Sequence, residues 1–204
     1  MANFKIADEI TRGHEEGHSY HPSDEGGETW NGIARRYHRD WAGWSLLDRI
    51  DDKKNISKEM RKELETAEHI FYLRKFWQPI KGDLIPDQDI ANILYDIAVN
   101  FGTRRASRYL QRALNVMNRR GNDYNDLLVD GRIGRGTLNA LNAYLSKRSK
   151  YALIDAMATF AKHYWLTKAE KNETQEDFVN GIFNRWILNA KQLAKNYFEG
   201  GKNV

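Results

Sequence analysis

The feature that most constrains this chain is a run of apolar residues between positions 90 and 117, spaced three and four apart and interrupted once by a glycine. The first half of the run comprises Ile90, Ile93, Leu94, Ile97, Ala98 and Phe101. The second half comprises Ala106, Tyr109, Leu110, Ala113, Leu114 and Met117. Such spacing puts each set on one face of an α-helix, so the sequence predicts two consecutive helices separated at Gly102.

Helical periodicity also appears near the N-terminus. Phe4, Ala7 and Ile10 recur every three residues, which predicts a first helix with these residues in the core and an end near Gly13. Ser57 precedes another periodic segment and is a candidate N-cap for a further helix.

Later helices are predicted around residues 137–145, 153–165 and 178–197, and only 3 prolines interrupt the whole chain. Residues 19–33 differ, because Gly, Ser, Asp and Pro dominate there and favour a loop, a turn or a short hairpin. The predicted fold class is therefore mainly α: a helical globule with a small hairpin or loop region near residues 19–33.

Length, composition and charge limit the classes of protein to which this chain can belong. A length of 204 residues suits one domain, or one domain with two lobes, and 41% hydrophobic residues suffice for a core. The absence of cysteine excludes disulfides and thiolate metal sites. A net charge of +4 is a mild excess that would favour an anionic surface such as cell wall or nucleic acid. No apolar run is long enough to cross a bilayer, and no Sec-type export signal is visible.

Residues 14–18 read His-Glu-Glu-Gly-His, which is the literal form of a zinc protease motif. That chemistry needs His14 and His18 on one face of a continuous helix. Gly13 and Gly17 each disfavour a helix by about 1 kcal/mol, and Pro22 follows closely. The sequence therefore favours polar loop histidines, and zinc peptidase chemistry is kept as a minor alternative.

The same segment carries groups suited to cleaving a bond between sugars. Glu15 follows the first helix, Asp24 comes nine residues later, and Thr29 follows in the same turn-rich stretch. Glycoside hydrolysis needs one carboxylic acid to protonate the departing oxygen and a second polar group to hold water or to stabilise the positively charged ring. The sequence thus offers Glu15, Asp24 and Thr29 as catalytic candidates.

Other residues of this stretch are candidates for binding the sugar. Gly26 and Gly27 would let the backbone pass close to a bulky saccharide. Tyr20 and Trp30 could offer flat faces to sugar rings.

These motifs resemble the N-terminal signature of glycoside hydrolase family 108, the N-acetylmuramidases or lysozymes of phages, prophages and bacteria. The matching residues are His14, Glu15, Gly17, Pro22, Asp24, Gly26, Gly27, Thr29, Gly32 and Ile33. The resemblance implies that Glu15 is the catalytic acid and that the fold is lysozyme-like (α+β). Two positions differ from the family pattern, since Glu16 replaces a glycine and His18 a tyrosine. The register of the later residues favours Glu15 over Glu16.

The second half of the chain is similar to the same family's C-terminal region, a predicted peptidoglycan-binding domain. The matching residues are Asp96, Ala98, Val99, Asn100, Gly102, Ala106, Leu110, Gln111, Asp130, Gly131, Ile133, Gly134 and Thr137. Within this resemblance Asn100 is taken as a further substrate-binding residue, whereas Gly131 and Gly134 are expected to form a structural turn. The expected division is a catalytic lobe at 1–90 and a helical peptidoglycan-binding lobe at 91–198 packed against it.

The resemblance implies a hydrolase that cuts the bond between N-acetylmuramic acid and N-acetylglucosamine in peptidoglycan, with no metal and no cofactor. The expected partners are glycan strands and a pore-forming holin, with no nucleic acid and no stable membrane insertion. The expected location is the cytoplasm until release to the cell wall. The alternative from a different class is a non-catalytic module that binds cell wall or nucleic acid.

Overall fold

The computed structural model describes residues 1–12, 18–19, 27–50, 52–53, 55–177, 179–181 and 183–184. Seven α-helices have both ends within these residues, and the described residues at 176–177, 179–181 and 183–184 are helical as well. They are α1 (Phe4–Arg12), α2 (Gly43–Leu47), α3 (Lys58–Tyr72), α4 (Gln88–Phe101), α5 (Thr103–Met117), α6 (Arg135–Leu145) and α7 (Lys150–Lys171). Shorter turns are a π-helical segment at Leu73–Trp77 and 3₁₀ segments at Gly82–Leu84 and Glu173–Gln175.

Helix α4 lies at the centre of the fold. It packs against α1 on one side and against α5 and α7 on the others, and it also contacts the π-helical segment. Its buried residues are Ile90, Ala91, Ile93, Leu94, Tyr95, Asp96, Ile97, Ala98 and Phe101. A helix buried over most of its circumference must be covered by several neighbours. One hydrophobic cluster accordingly runs from Ala2 to Ala161.

The ends of the central helices are fixed by local chemistry. The Asp87 carboxylate accepts hydrogen bonds from the backbone N–H groups of Asp89 (3.0 Å) and Ile90 (3.1 Å), and so caps α4. Gly102 has φ of +85°, a conformation that favours glycine, and ends α4 directly before α5. The two predicted helices and their break at Gly102 are thus confirmed. Ser57 also caps α3 as predicted, since its hydroxyl accepts from the N–H of Met60.

A small antiparallel sheet accompanies the helices. Its strands are β1 (His18–Ser19), β2 (Thr29–Trp30) and β3 (Ile33–Ala34), in the order β1-β2-β3. Asn31 and Gly32 join β2 to β3 with φ of 43° and 78°, as a two-residue turn of the type I′ hairpin requires. The predicted fold class, mainly α with a small hairpin near residues 19–33, is confirmed.

One detail of the first helix was predicted wrongly. The buried residues of α1 are Phe4, Ala7, Asp8 and Thr11, whereas Ile10 is 43% exposed. A helix of 3.6 residues per turn keeps positions i, i+3, i+4 and i+7 on one face, so Ile10 has already rotated out of it.

The described residues leave two predictions on the organisation of the chain untested. The predicted last helix, 178–197, lies largely outside the described residues. The division into lobes at 90/91 stays a prediction. Helix α4 contacts α1 from the first half of the chain and α5 and α7 from the second half. None of the described helices combines the length and the apolar character needed to cross a membrane.

The packing around Trp77 generates a stability prediction. A Cβ added at Gly82 would lie 2.2 Å from the indole of Trp77, which is fully buried. We expect Gly82→Ala to lower the free energy of unfolding by about 1–3 kcal/mol, since a packed indole cannot move away cheaply. Chemical denaturation monitored by tryptophan fluorescence measures the change. Gly136→Ala is the matched control, because its nearest neighbour is Leu127 at 3.9 Å, and a loss of equal size there would contradict the packing argument.

Candidate active site

The described residues contain part of the predicted site. Thr29, Gly27, Trp30 and Asn100 are described, whereas Glu15, Asp24, Tyr20 and Gly26 lie outside the described residues, together with His14, Glu16 and His21. The catalytic and binding roles that the sequence analysis assigned to the candidate residues stay predictions. The structure does show the elements that flank the predicted catalytic segment, with α1 ending at Arg12 and β2 starting at Thr29.

The end of α1 is held by a buried ion cluster. Arg12 donates to both carboxylate oxygens of Asp8, from Nε at 2.7 Å and from the guanidinium at 2.6 Å. It also donates to Glu68 of α3 at 3.0 Å. Asp8 is 6% exposed and Glu68 is 4% exposed. One guanidinium therefore bridges two buried carboxylates from different helices, in the fork geometry that suits arginine.

The same glutamate holds the hairpin. Oε1 of Glu68 accepts from the indole N–H of Trp30 at 2.5 Å and from the side-chain amide of Asn31 at 3.0 Å. Tyr72, one helical turn further along α3, donates its hydroxyl to the carbonyl of Asn31 at 2.8 Å. Its ring lies 4.5 Å from the guanidinium carbon of Arg12. Glu68 thus ties the C-terminal end of α1 to β2 and its turn.

A further contact connects this cluster to the central helix. The hydroxyl of Tyr95 in α4 donates to Asp8 at 2.7 Å. Burial, reinforced by the negative charge of Asp8, raises the pKa of Tyr95 well above its usual value, so the phenol stays a donor. Burial alone would lower the pKa of Arg12, but its hydrogen bonds to Asp8 and Glu68 and their charges raise it overall. We call Asp8, Arg12, Glu68, Trp30 and Tyr95 the anchor cluster.

The described site residues differ in their surroundings. Thr29 is half-buried, and its hydroxyl donates to the carbonyl of Gly27 at 3.3 Å. Gly27 has φ of +66°, and among the described residues beyond its chain neighbours none has an atom within 4 Å of where a side chain would begin. Trp30 is 4% exposed, and its indole N–H donates to Glu68, so these contacts support the hairpin. Asn100 is exposed near the end of α4 and donates to the carbonyl of Asp96.

An open cleft of about 920 Å³ lies beside the hairpin and reaches Gly27. Such a volume falls within the range typical of ligand sites. Its charged lining residues are Glu28, Arg35, Arg36, Arg39, Asp40 and Asp48, and Trp41 and Trp44 contribute aromatic edges.

The wall of this cleft is held by a second set of ion pairs. The Glu28 carboxylate binds Nε of Arg35 at 2.8 Å and also binds Lys53. Arg35 also pairs with Asp48 at 2.5 Å, and its guanidinium carbon lies 4.4 Å from the centre of the Trp44 ring. The hydrogen bond from Arg35 lowers the pKa of Asp48. The cleft therefore has a polar, fixed wall next to β2.

The anchor cluster was missed by sequence reasoning, although a signal for it exists. Asp8 lies four residues after Phe4, on the apolar face of α1, and Arg12 follows at the next i+4 position. A carboxylate on a buried helical face requires a partner, because an unpaired buried charge is costly. The contribution of Glu68 could not be found this way, because it comes from a distant segment.

A metal site needs several His, Asp or Glu side chains close together. Among the residues that the structure describes, no group of three or more His, Asp or Glu side chains is arranged to hold a metal ion. The side chains of the His14-to-His18 motif are outside that set, so the zinc alternative needs an experiment.

The anchor cluster predicts a clear stability effect. Glu68→Ala removes one acceptor from Arg12 and leaves the indole N–H of Trp30 buried without its partner. We expect a loss of about 3–5 kcal/mol in the free energy of unfolding, as for other buried pairs broken on one side. Glu68→Gln keeps the volume and one carbonyl acceptor and should lose less. The control is Glu65→Ala on the exposed face of α3; an equal effect there, measured by urea denaturation, would refute the role of Glu68.

Comparison with known proteins agrees with the motifs. The family described as Glycosyl hydrolase 108 matches residues 9–102, and the family described as Predicted Peptidoglycan domain matches residues 105–187. Both appear in the order that the sequence predicted. No curated protein matches the chain significantly.

Solved structures share the fold. A structure titled "Structure of Brucella abortus SagA" superposes with a TM-score of 0.61 at 22% sequence identity, over 94% of each chain. At this identity the likeness concerns the fold alone. Residues 9–102 are thus similar to the Glycosyl hydrolase 108 family and residues 105–187 to a peptidoglycan domain, and the two consecutive matches together support a peptidoglycan hydrolase.

Proposed function

We propose that this protein is an N-acetylmuramidase that hydrolyses the bond between N-acetylmuramic acid and N-acetylglucosamine, with Glu15 as general acid. The structural observation that carries the proposal is the contact of Glu68 with both Arg12 and Trp30. This contact fixes the two elements between which the segment with Glu15 and Asp24 runs.

The chemistry assigned to the site needs two groups. Glu15 donates a proton to the glycosidic oxygen while the bond to the anomeric carbon breaks and positive charge develops on the ring. A water molecule held by Asp24 and Thr29 then adds to that carbon, and the proton that the water releases is accepted by one of the two carboxylates, which completes hydrolysis. The half-buried hydroxyl of Thr29 next to Gly27 supports this role, because a hydroxyl can donate to and accept from water.

Rigid flanking elements contribute to such a reaction. Catalytic groups act efficiently only when they are held close to the productive geometry. The residues that support them, here called the supporting shell, therefore influence the reaction rate strongly. The anchor cluster provides that shell from four elements: α1, β2, α3 and α4. Its buried charges are all committed to one another, which supports a positioning role and leaves the acid chemistry to Glu15.

The cleft of about 920 Å³ beside the hairpin is the proposed path of the glycan strand. Its polar wall offers both hydrogen-bond donors and acceptors to sugar hydroxyl and acetamido groups. The glycan is thus the proposed partner, and nucleic acid is not. We also assign the protein to the cytoplasm until release, with a pore-forming holin as the partner that allows it to reach the wall.

The acid assignment is tested by a matched pair of variants. Glu15→Gln keeps the side-chain volume but cannot supply the proton, so we expect activity to fall by about 10²–10⁴-fold. Glu16→Gln is the control and should retain most of its activity. Turbidity clearing of purified walls gives the rate, and mass spectrometry of the released fragments identifies the bond. Full activity in Glu15→Gln, or a loss confined to Glu16→Gln, would place the acid elsewhere.

Chelation separates this mechanism from the zinc alternative. We expect overnight dialysis against EDTA to leave the rate of wall hydrolysis within about twofold of the untreated rate, because the proposed acid mechanism uses no metal. The control is the same dialysis with added zinc afterwards. A rate abolished by EDTA and restored by zinc would favour the peptidase reading of His14 and His18.

A further inference from the structure

A second concave site lies away from the hairpin, where the two family regions meet. This pocket has a volume of about 370 Å³. Pro79 and Lys81 contribute from the hydrolase region, whereas Arg132 and Ile133 contribute from the peptidoglycan domain. Arg104 and Ser107 of α5 form the wall between them. We call it the junction pocket.

The charged residues that line the junction pocket are all positive. Its described lining residues include the cations Lys81, Arg104 and Arg132 and no acidic side chain. Within the described part of the chain, none of these three cations forms an ion pair within 4 Å. Like charges gathered around one cavity repel each other, and a bound anion would relieve that repulsion.

Other cations of the same region contrast with these three. Arg148 and Lys147 both pair with Asp123, at 2.7 and 3.3 Å. Lys150 pairs with Asp87 and Asp89, at 3.0 and 2.6 Å. Other described cations, such as Arg105 and Arg108 of α5, also lack an ion pair, so the junction pocket is distinguished by three such cations that line one cavity.

The loop that carries Arg132 is fixed against α5. Gly131 has φ of +78°, and an added Cβ would lie 2.8 Å from the carbonyl oxygen of Arg104. The N–H of Gly131 donates to the buried amide oxygen of Gln111 at 2.9 Å. The Gln111 amide also donates to the Asp130 carboxylate and to the carbonyl of Arg132. The predicted turn role of Gly131 agrees with this geometry.

Asp130, the nearest carboxylate in sequence, is already committed. Its Oδ1 accepts from Gln111 and from the backbone N–H of Arg132, both at 2.9 Å. These hydrogen bonds, that of Gln111 first, and the positive charge of Arg132 lower the pKa of Asp130. Arg132 thus has a fixed backbone, and its guanidinium lies near Asp130 but forms no ion pair with it within 4 Å.

We propose that the junction pocket binds a free carboxylate of the peptides that branch from the glycan, a ligand that rests on the proposed peptidoglycan substrate. Two guanidinium groups match the planar shape of a carboxylate and can each donate two hydrogen bonds. Pro79 and Ile133 supply apolar contact for a small side chain such as the methyl group of alanine. Because both family regions line the pocket, one peptide contacts both.

The test uses a peptide that contains no sugar. The probe is acetyl-L-alanyl-D-glutamyl-L-lysyl-D-alanine with free carboxylates, titrated into the full-length protein and followed by calorimetry at low salt. The same peptide with amidated carboxylates, and inorganic phosphate, are the comparison ligands. The pocket variant is Arg104→Gln with Arg132→Gln. The matched control is Arg61→Gln with Lys62→Gln, which removes the same charge from an exposed part of α3.

We expect the free peptide to bind the wild type and the control equally, and the pocket variant roughly tenfold more weakly, as two exposed charged contacts are lost. The amidated peptide should bind at least tenfold more weakly than the free one. Equal binding by the pocket variant, equal binding of the amidated peptide, or tighter binding of phosphate would each overturn the proposal. Thermal denaturation confirms that the variants are folded. Because the peptide has no glycosidic bond, the result is independent of the Glu15 assay.

Discussion

The arrangement of the N-terminal half depends on one half-buried arginine. Arg12 lies between Asp8 and Glu68, and each carboxylate in turn accepts from an aromatic donor, Tyr95 or Trp30. Burying charges is unfavourable unless they are paired and hydrogen-bonded, and here each has several partners. The benefit is specificity of arrangement, because no shift of α1 against the hairpin can keep all of these bonds. A cluster of this kind explains how a two-residue strand can hold a defined position.

The central helix α4 connects the anchor cluster to the helices of the second half of the chain. Tyr95 reaches the anchor cluster from one face of α4, and the opposite faces pack on α5 and α7. Because protein interiors are close-packed, a displacement of α4 would disturb the packing of the anchor cluster and that of α5 and α7. The hydrolase region therefore does not stand on a core of its own within the described residues, since the cluster from Ala2 to Ala161 is continuous.

Sequence patterns that span only a few residues predicted those parts of the structure that depend on neighbouring residues. The helices around Gly102, the Ser57 cap and the hairpin region all follow from periodicity, side-chain capping and turn chemistry over a few residues. Ile10 was misplaced because a spacing of three alone drifts away from the buried face. The bond between Glu68 and Arg12 joins residues 56 positions apart, so no local pattern contains it. The motif around Glu15 pointed to the family, but the junction pocket depends on the meeting of three distant segments and is invisible in the sequence.

The short connection between the family regions has a mechanical consequence. Helix α4 ends at Phe101 and α5 begins at Thr103, so a single glycine stands where a tethered binding module would have a flexible linker. A tethered module increases local concentration but leaves the angle of approach free. Here the peptidoglycan domain is packed through α5 and α7 onto the helix that also holds the anchor cluster. When the peptidoglycan domain contacts the cell wall, the hydrolase region is therefore held at a fixed position and angle relative to that contact. Substrate binding there would orient the glycan, and not merely retain the enzyme near it.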